Sequence, residues 1–420
     1  MPETTWSEER VRKLLREGDF AYQDIALPYG LSTGGANRSS TARRVLPDDL
    51  TDKSVLDVGS KFGYFCFEAA KRGAERVVGV DVDPDSVQKA RTLADCLGVD
   101  VRFEQFDVES APIPEPFDVV LCLNLLHHLR NPLAALDRLV AATRERLVLE
   151  VAALGSHDRR KVGASRLASH FLARAPIVFV SRNGSSGKRS VQKFFITQRA
   201  ISNLLLHHRR IFARVDMLPS DHKDRFIAIA HRRRIDRLVV VAGPTASGKS
   251  TLIERLRRNE LPEVAARAGI ADGATWPAAG TKEIERMTEV QMPSLLFHYD
   301  FLRPYLRSAK IHERDEGLDV LDAALHVTTL TLWCAPQRLR AQLHAGEIAR
   351  RTAAGFYWGG KRHRVIERDY RDPETVRRHY QRWFDHLASR PGEHWVLSLD
   401  GGVRLRPIAE WQRLADEVAR

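Results

Sequence analysis

Cysteine is scarce and scattered in this chain. Cys66, Cys96, Cys122 and Cys334 stand far apart and form no Cys-x-x-Cys pair, which argues against both a disulfide framework and a cysteine-rich zinc site. No apolar run approaches the roughly 18 residues that cross a bilayer, and the amino-terminal stretch lacks the apolar centre of a secretory signal. It reads instead as a charged amphipathic helix opened by Ser7 and stopped by Gly18. A cytoplasmic location is expected, with no transmembrane segment. Negative charge is also in deficit: 54 Asp and Glu against 66 Lys and Arg give a net charge of +12 and a pI near 9.7. Such an excess suits a polyanionic partner, whether nucleic acid, a phosphorylated glycan or an anionic membrane face.

Apolar residues make up 43% and charged residues 29% of the 420, the balance of a folded soluble protein. That length exceeds what one core organises, so two domains are expected. Strands and helices alternate from Ser54 onward, the α/β pattern that builds a parallel sheet with helices on both faces. Two glycine-rich loops of different kinds each sit between a short apolar strand and a helix: VLDVGSKFG at residues 55–63 and GPTASGKS at residues 243–250.

In the first half, strands are expected at 54–58, 76–80, 101–106, 119–123 and 147–151, with a closing hairpin of 212–217 and 226–230. Ligands on such sheets bind beyond the carboxyl ends of the strands, where Asp57, Gly59, Ser60, Gly63, Asp81, Val82, Asp107, Val108 and Asn124 fall. Gly59 and Gly63 allow a close approach of backbone to ligand. Asp81 stands about 20 residues beyond the loop, where a carboxylate accepts from two ribose hydroxyls, and Asp107 and Val108 stand where an adenine would lie. The Asp-x-Gly-x-x-x-Gly spacing differs from Gly-x-Gly-x-x-Gly, which disfavours a dinucleotide. His127 and His128 follow the fourth strand as candidate bases for a hydroxyl acceptor. The alternative is that one packs and the other bonds the Asn131-Pro132 helix start. Residues 155–190, rich in Arg, Lys, Ser and Gly, read either as an acceptor lid or as a solvated loop.

In the second half, Gly-x-x-x-x-Gly-Lys-Ser in a strand–loop–helix setting is a full phosphate-binding loop. Gly243, Pro244, Thr245, Ala246, Ser247, Gly248, Lys249, Ser250 and Thr251 are its nucleotide-binding candidates. Backbone N–H groups and the helix start wrap phosphates, Lys249 reaches the β and γ phosphates, and Ser250 offers a hydroxyl to Mg²⁺. Asp300 ends an apolar strand and reads as a metal ligand, as a base toward a phosphoryl acceptor, or as a helix cap. Arg338, Arg340, Arg350, Arg351, Arg362 and Arg364 follow a further strand at 327–333, and 395–399 is expected to be the last strand. The basic stretch 231–237 is read as the bridge between domains. The expected boundaries are therefore 1–45 for a helical and extended segment, 46–234 for the first domain and 235–420 for a P-loop kinase-like NTPase domain.

The segments IALPYGLSTG (25–34), LPDDLT (46–51), RGA (72–74), LLHHLRNP (125–132) and LVLE (147–150) together resemble class I S-adenosylmethionine-dependent methyltransferases related to the tRNA wobble-uridine methoxy/carboxymethoxy family. The resemblance covers roughly the first half of the chain. It implies a Rossmann-like, mostly parallel seven-stranded sheet and S-adenosylmethionine as cofactor. Members that use a carboxylated cofactor carry tyrosine where this chain has His127, so the unmodified cofactor is expected. The second half resembles small-molecule P-loop kinases, which implies ATP or GTP with Mg²⁺. The combined reading is a bifunctional methyltransferase and kinase-like enzyme acting on an unidentified, anionic or phosphorylated acceptor such as a glycan or small metabolite. Two alternatives remain: a tRNA-modifying methyltransferase with an NTP-dependent accessory domain, and a methyltransferase with a non-catalytic nucleotide-binding module.

Overall fold

The computed structural model describes residues 5–154, 162, 165, 172, 174–181, 194–207, 211–302, 318–354 and 361–419. Two compact units emerge: residues 1–208 with 212–232, and residues 209–211 with 233–420. Among the described residues no helix is long and apolar enough to cross a membrane.

In the first unit the strands are β1 (Ser54–Val58), β2 (Arg76–Asp81), β3 (Arg102–Gln105), β4 (Phe117–Leu123), β5 (Thr143–Ala152), the short pair β6 (Val178–Val180) and β7 (Phe194–Ile196), and the hairpin β8 (Phe212–Pro219) and β9 (Arg225–Arg232). The main sheet runs β3-β2-β1-β4-β5-β9-β8. All five leading strands are parallel, while β9 is antiparallel to both β5 and β8. Every residue of β1 is buried, as a central strand covered on both faces requires. Local chemistry sets the helices between the strands. Asp83 caps the helix Pro84–Leu97 and Gly98 ends it with left-handed backbone at φ 64°; Asn131 caps Pro132–Ala141 by accepting from the Ala134 N–H.

The amino-terminal segment belongs to this core. Ser7 caps the helix Glu8–Glu17 and Gly18 follows it, while Trp6, Val11, Phe20, Ile25, Leu27, Ala42 and Val45 are buried in one cluster with Val55 and Leu121. The sequence reading of 1–45 as a segment of its own is thus replaced by one continuous hydrophobic core. The pair β6–β7 was not anticipated, because each strand is three residues long and pairs only with the other. Most of the insertion at 155–190 lies outside the described residues.

The second unit contains β10 (Arg234–Gly243), β11 (Ala278–Gly280), β12 (Gln291–Asp300), β13 (Ala324–Leu332), β14 (Glu393–Ser398) and β15 (Arg404–Pro407). Their order is β11-β12-β10-β13-β14-β15, parallel except for β15. Two expectations are corrected. β14 is followed by another strand, whose polar arginines gave no apolar run. The basic stretch 231–237 does hold the junction of the two units, between Arg232 and Arg233, but as strand: β9 runs to Arg232 and β10 starts at Arg234, the charged side chains of Arg234, Asp236 and Arg237 being exposed while Ile235 is buried.

Arg233, between these strands, is 1% exposed. Its Nη2 donates to the carbonyls of Ile284 (2.9 Å) and Met287 (2.8 Å), tying the turn before β12 to the start of β10. Removing those donors strands two carbonyls. Arg233→Met is expected to cost the second unit about 2 kcal/mol. Urea unfolding followed by tryptophan fluorescence reads this directly, since all tryptophans except Trp6 lie beyond residue 233; an unchanged midpoint would reject the staple.

Candidate functional site

The first site grows from the end of β1. Gly59 and Ser60 both donate their N–H to the Val80 carbonyl (2.8 and 3.0 Å), folding the loop across the end of β2. The backbone is left-handed at Gly59 (φ 80°), Lys61 (φ 51°) and Gly63 (φ 87°). At Gly63 a Cβ would collide with the Phe103 ring, so glycine is required there twice over. Gly63 then opens the helix Tyr64–Lys71.

Asp81, at the end of β2, is fixed by two backbone donors, Lys61 N–H to Oδ2 (3.0 Å) and Asp83 N–H to Oδ1 (3.0 Å). A carboxylate oxygen has more than one lone-pair site, so both retain capacity for hydroxyl donors. The neighbouring Val82 is 61% exposed, an unusual amount for an apolar residue at a strand end. Asp107 accepts from the Glu109 N–H (2.8 Å), and Val108 is buried with its carbonyl accepting from Arg138 (2.6 Å). The loop, with glycine at both ends, thus forms a cradle beside an oriented carboxylate.

Asp57 differs from the other candidates in being 2% exposed within β1. Burial, with the nearby charge of Asp81, pushes its carboxyl up to about 7, against a smaller lowering by the Cys66 thiol, whose Sγ donates to Oδ2 across 3.8 Å. The structure therefore places Asp57 beneath the cradle.

Asn124 adopts left-handed backbone (φ 61°) just past β4. Its N–H donates to the Glu150 carbonyl (3.1 Å), and its Oδ1 accepts from Arg225 (2.5 Å). His127 and His128 lie in the short 3-10 turn Leu126–His128 with ring centroids 4.0 Å apart. His127 is 4% exposed, whereas His128 is open to solvent. The following helix start is served by the Asn131 side chain and by Glu109, which accepts the Asn131 N–H (2.8 Å).

Sequence reasoning missed a polar cluster at the same edge. Arg38 donates to Glu150 (2.7 Å), which is fully buried in β5 and also accepts from Ser220 (2.5 Å). His222 contacts Arg38 (2.7 Å), and its pKa is lowered by burial and then by the charges of Arg225 and Arg38. These residues come from the amino-terminal segment, β5 and the β8–β9 turn. The available signal was a glutamate inside the otherwise apolar run of β5.

The second site follows β10. Its loop is left-handed at Ala246 (φ 66°) and Gly248 (φ 92°), and Gly248 opens the helix Lys249–Arg257. Added carbon at Gly248 would meet nothing within 4 Å, so that part of the loop is open. A Cβ at Gly243 would press on the buried Ser247 hydroxyl. Pro244 is buried, and Ser250 and Thr251 are exposed on the first helical turn. Lys249 is 4% exposed, its amine donating to the carbonyls of Gly243 (3.0 Å) and Pro244 (2.6 Å). Asp300 is paired in register with Gly243 across β12 and β10. It accepts from the Thr245 hydroxyl (2.6 Å) and from the Leu302 N–H (3.1 Å).

Among the described residues no group of three or more His, Cys, Asp or Glu could hold a metal. Arg338 is paired with Asp400. The side chains of Arg350, Arg351 and Arg362 lie outside what is described, and Arg340 and Arg364 are exposed.

Residues 50–161 match the family described as a methyltransferase domain. A tRNA U34 carboxymethyltransferase of Campylobacter hominis is 35% identical over 92 residues, 22% of this chain and 32% of that protein. A ubiquinone biosynthesis O-methyltransferase of Neisseria meningitidis is 39% identical over 89 residues, 20% and 37% of the two. Another from Alkalilimnicola ehrlichii is 28% identical over 190 residues, 39% and 76%. The chain spans about a third of the length of the curated relatives it matches first. Among solved structures, the N-terminal domain of EvdMO1 with SAH and D-fucose is similar at 17% identity and a TM-score of 0.43, covering 54% of this chain and 98% of that one. The first unit thus carries a class I methyltransferase domain with a Rossmann-like, mostly parallel sheet.

The raised Asp57 carboxyl makes a signed prediction. Between its ordinary 3.8 and about 7, unfolding releases a proton that the folded chain retains. Its contribution therefore lowers stability as pH rises through that window, by up to about 1.4 kcal/mol per pH unit, and levels off above it. Asp57→Asn is expected to remove this component. Urea midpoints of both proteins from pH 5 to 8 would show the difference, and parallel curves would refute it.

Proposed function

We propose that the first unit transfers the methyl group of S-adenosylmethionine and that the second binds a nucleoside triphosphate as a kinase-like partner domain in one bifunctional enzyme. The observation carrying the first half is the left-handed loop from Gly59 to Gly63 beside the doubly anchored Asp81. Gly59, Ser60 and Gly63 would line the adenosyl and methionine parts, Asp81 would accept the ribose hydroxyls, and Val82, Asp107 and Val108 would flank the adenine. Asn124 would face the methionine part. The bound cofactor supplies an already activated methyl, so alignment of the acceptor does much of the catalysis.

His128, being solvent-exposed, is the better placed of the histidine pair to take a proton from an acceptor hydroxyl; His127 packs beneath it. The cationic balance of the chain and the arginines at this edge favour an anionic acceptor such as a phosphorylated glycan or metabolite.

For the second unit the supporting observation is the open left-handed loop with Lys249 at its helix start and Asp300 one strand away. Lys249 would swing from its loop carbonyls to the phosphates. Ser250 and Asp300 would hold Mg²⁺ brought by ATP or GTP, with Asp300 alternatively serving as base toward the phosphoryl acceptor.

Calorimetry on single variants tests the division of labour. Asp81→Ala is expected to weaken S-adenosylmethionine about 100-fold through lost charge-assisted bonds while sparing ATP; Lys249→Ala should do the converse. Equal damage to both ligands by either change would sink the two-site reading.

A second reading, methylation of tRNA, draws on the net charge of +12 and on the name of a relative. Phosphate contacts would make RNA affinity fall steeply with salt. Fluorescence anisotropy with labelled tRNA between 50 and 200 mM salt, ranges over which such complexes weaken by about 10³-fold or more, decides it: absent or salt-indifferent binding excludes this reading.

A further inference from the structure

We infer that Tyr370 is a positioning residue for the phosphate loop of the second unit, holding the Thr245 carbonyl so that the following N–H groups remain free to face phosphate oxygens. The inference rests on the nucleotide-binding reading of that loop.

Three successive loop carbonyls each accept from a side chain. Gly243 and Pro244 accept from the Lys249 amine, and Thr245 accepts from the Tyr370 hydroxyl at 2.5 Å. The two donors differ in what they do next. If the amine turns to an anion, the first two carbonyls lose it. Tyr370 has no such freedom, being 1% exposed and fixed at a corner between two helices. Its N–H closes the helix Lys361–Asp369 onto the Ile366 carbonyl (2.9 Å), and Asp372 caps Pro373–Ala388 directly afterwards. Val376, Tyr380, Trp383 and Phe384 of that second helix are buried in the same core.

The Thr245 side chain is held from elsewhere, by Asp300. Residue 245 is therefore clasped at both its carbonyl and its hydroxyl, immediately before the left-handed Ala246. A peptide plane has its N–H and C=O pointing in opposite directions, so fixing the Thr245 carbonyl also fixes the Ala246 N–H. An unheld carbonyl could rotate its partial negative charge toward the incoming phosphate, opposing the very groups that recognise it.

The test uses the full chain and two probes that share a triphosphate, ATP and inorganic tripolyphosphate, titrated calorimetrically into wild type, Tyr370→Phe and Tyr380→Phe. Tyr380→Phe is the control for a merely structural lesion: its hydroxyl donates to the Leu332 carbonyl (2.7 Å) and accepts from the Cys334 N–H (3.3 Å) in the same core, with no bond to the loop. Tyr370→Phe is expected to raise Kd about 5-fold for both probes, the loss of one neutral hydrogen bond, with no change in the affinity of S-adenosylmethionine. Tyr380→Phe should lower thermal stability yet leave both Kd values near wild type. The clasp is overturned if Tyr370→Phe binds both probes like wild type, or if Tyr380→Phe weakens them equally. Wild type binding neither probe would overturn the nucleotide reading itself, and the clasp with it.

Discussion

In each unit a central strand has to become a helix within a few residues, and this sharp reversal is the constraint from which the rest follows. β1 does it through left-handed backbone at Gly59, Lys61 and Gly63, and β10 through Ala246 and Gly248. Left-handed backbone is costly for most residues, so the turns persist because the flanking strand and the inner face of the following helix are packed in the core. What the reversal yields is a set of backbone N–H groups gathered at a helix start. The two units use this feature differently. In the first, the loop lies against β2 and an anchored carboxylate; in the second, it closes around a lysine.

Charge placement follows the same geometry. The carboxyl edge of the first sheet holds Asp81 in two backbone bonds, whereas Asp57, one strand over and two residues earlier than the glycine, is buried and reluctant to ionise. Two acidic residues near one loop thus differ in burial and in hydrogen bonding. Oriented and accessible, Asp81 suits hydroxyl recognition. Buried against Cys66, Asp57 supports the floor. The same logic separates His127 from His128, which are adjacent in sequence and opposite in burial.

Both loops and most strands were legible in the sequence because their signals are local. The apolar Val55, Leu56 and Val58 announce β1, and capping residues such as Asp83 and Asn131 mark helix starts wherever they occur. What escaped reading depends on distant partners. β11 is only Ala-Ala-Gly and exists through pairing with β12; β15 is a strand because Arg404 and Arg406 lie on the edge of β14. The exposed charges at the start of β10 looked like a linker until β12 and β13 were laid alongside. In the site, Arg38 and Glu150 are separated by 112 positions, a distance no motif spans.

That long-range cluster changes how the first site should be understood. Strand ends alone supply a cofactor cradle, a feature shared by many sheets of this order, and cannot say what is placed against it. The residues of the polar cluster come from elsewhere: Arg38 from the amino-terminal segment, Ser220 and His222 from the hairpin turn, and Arg225 from the start of β9. Glu150 gathers Arg38 and Ser220 from inside the sheet, where an unpaired carboxylate would be prohibitively costly. Arg38 therefore serves the fold and the site together, since its removal leaves a buried charge unpaired and loosens the segment that brings Gln23 to the Tyr64 N–H at the helix start.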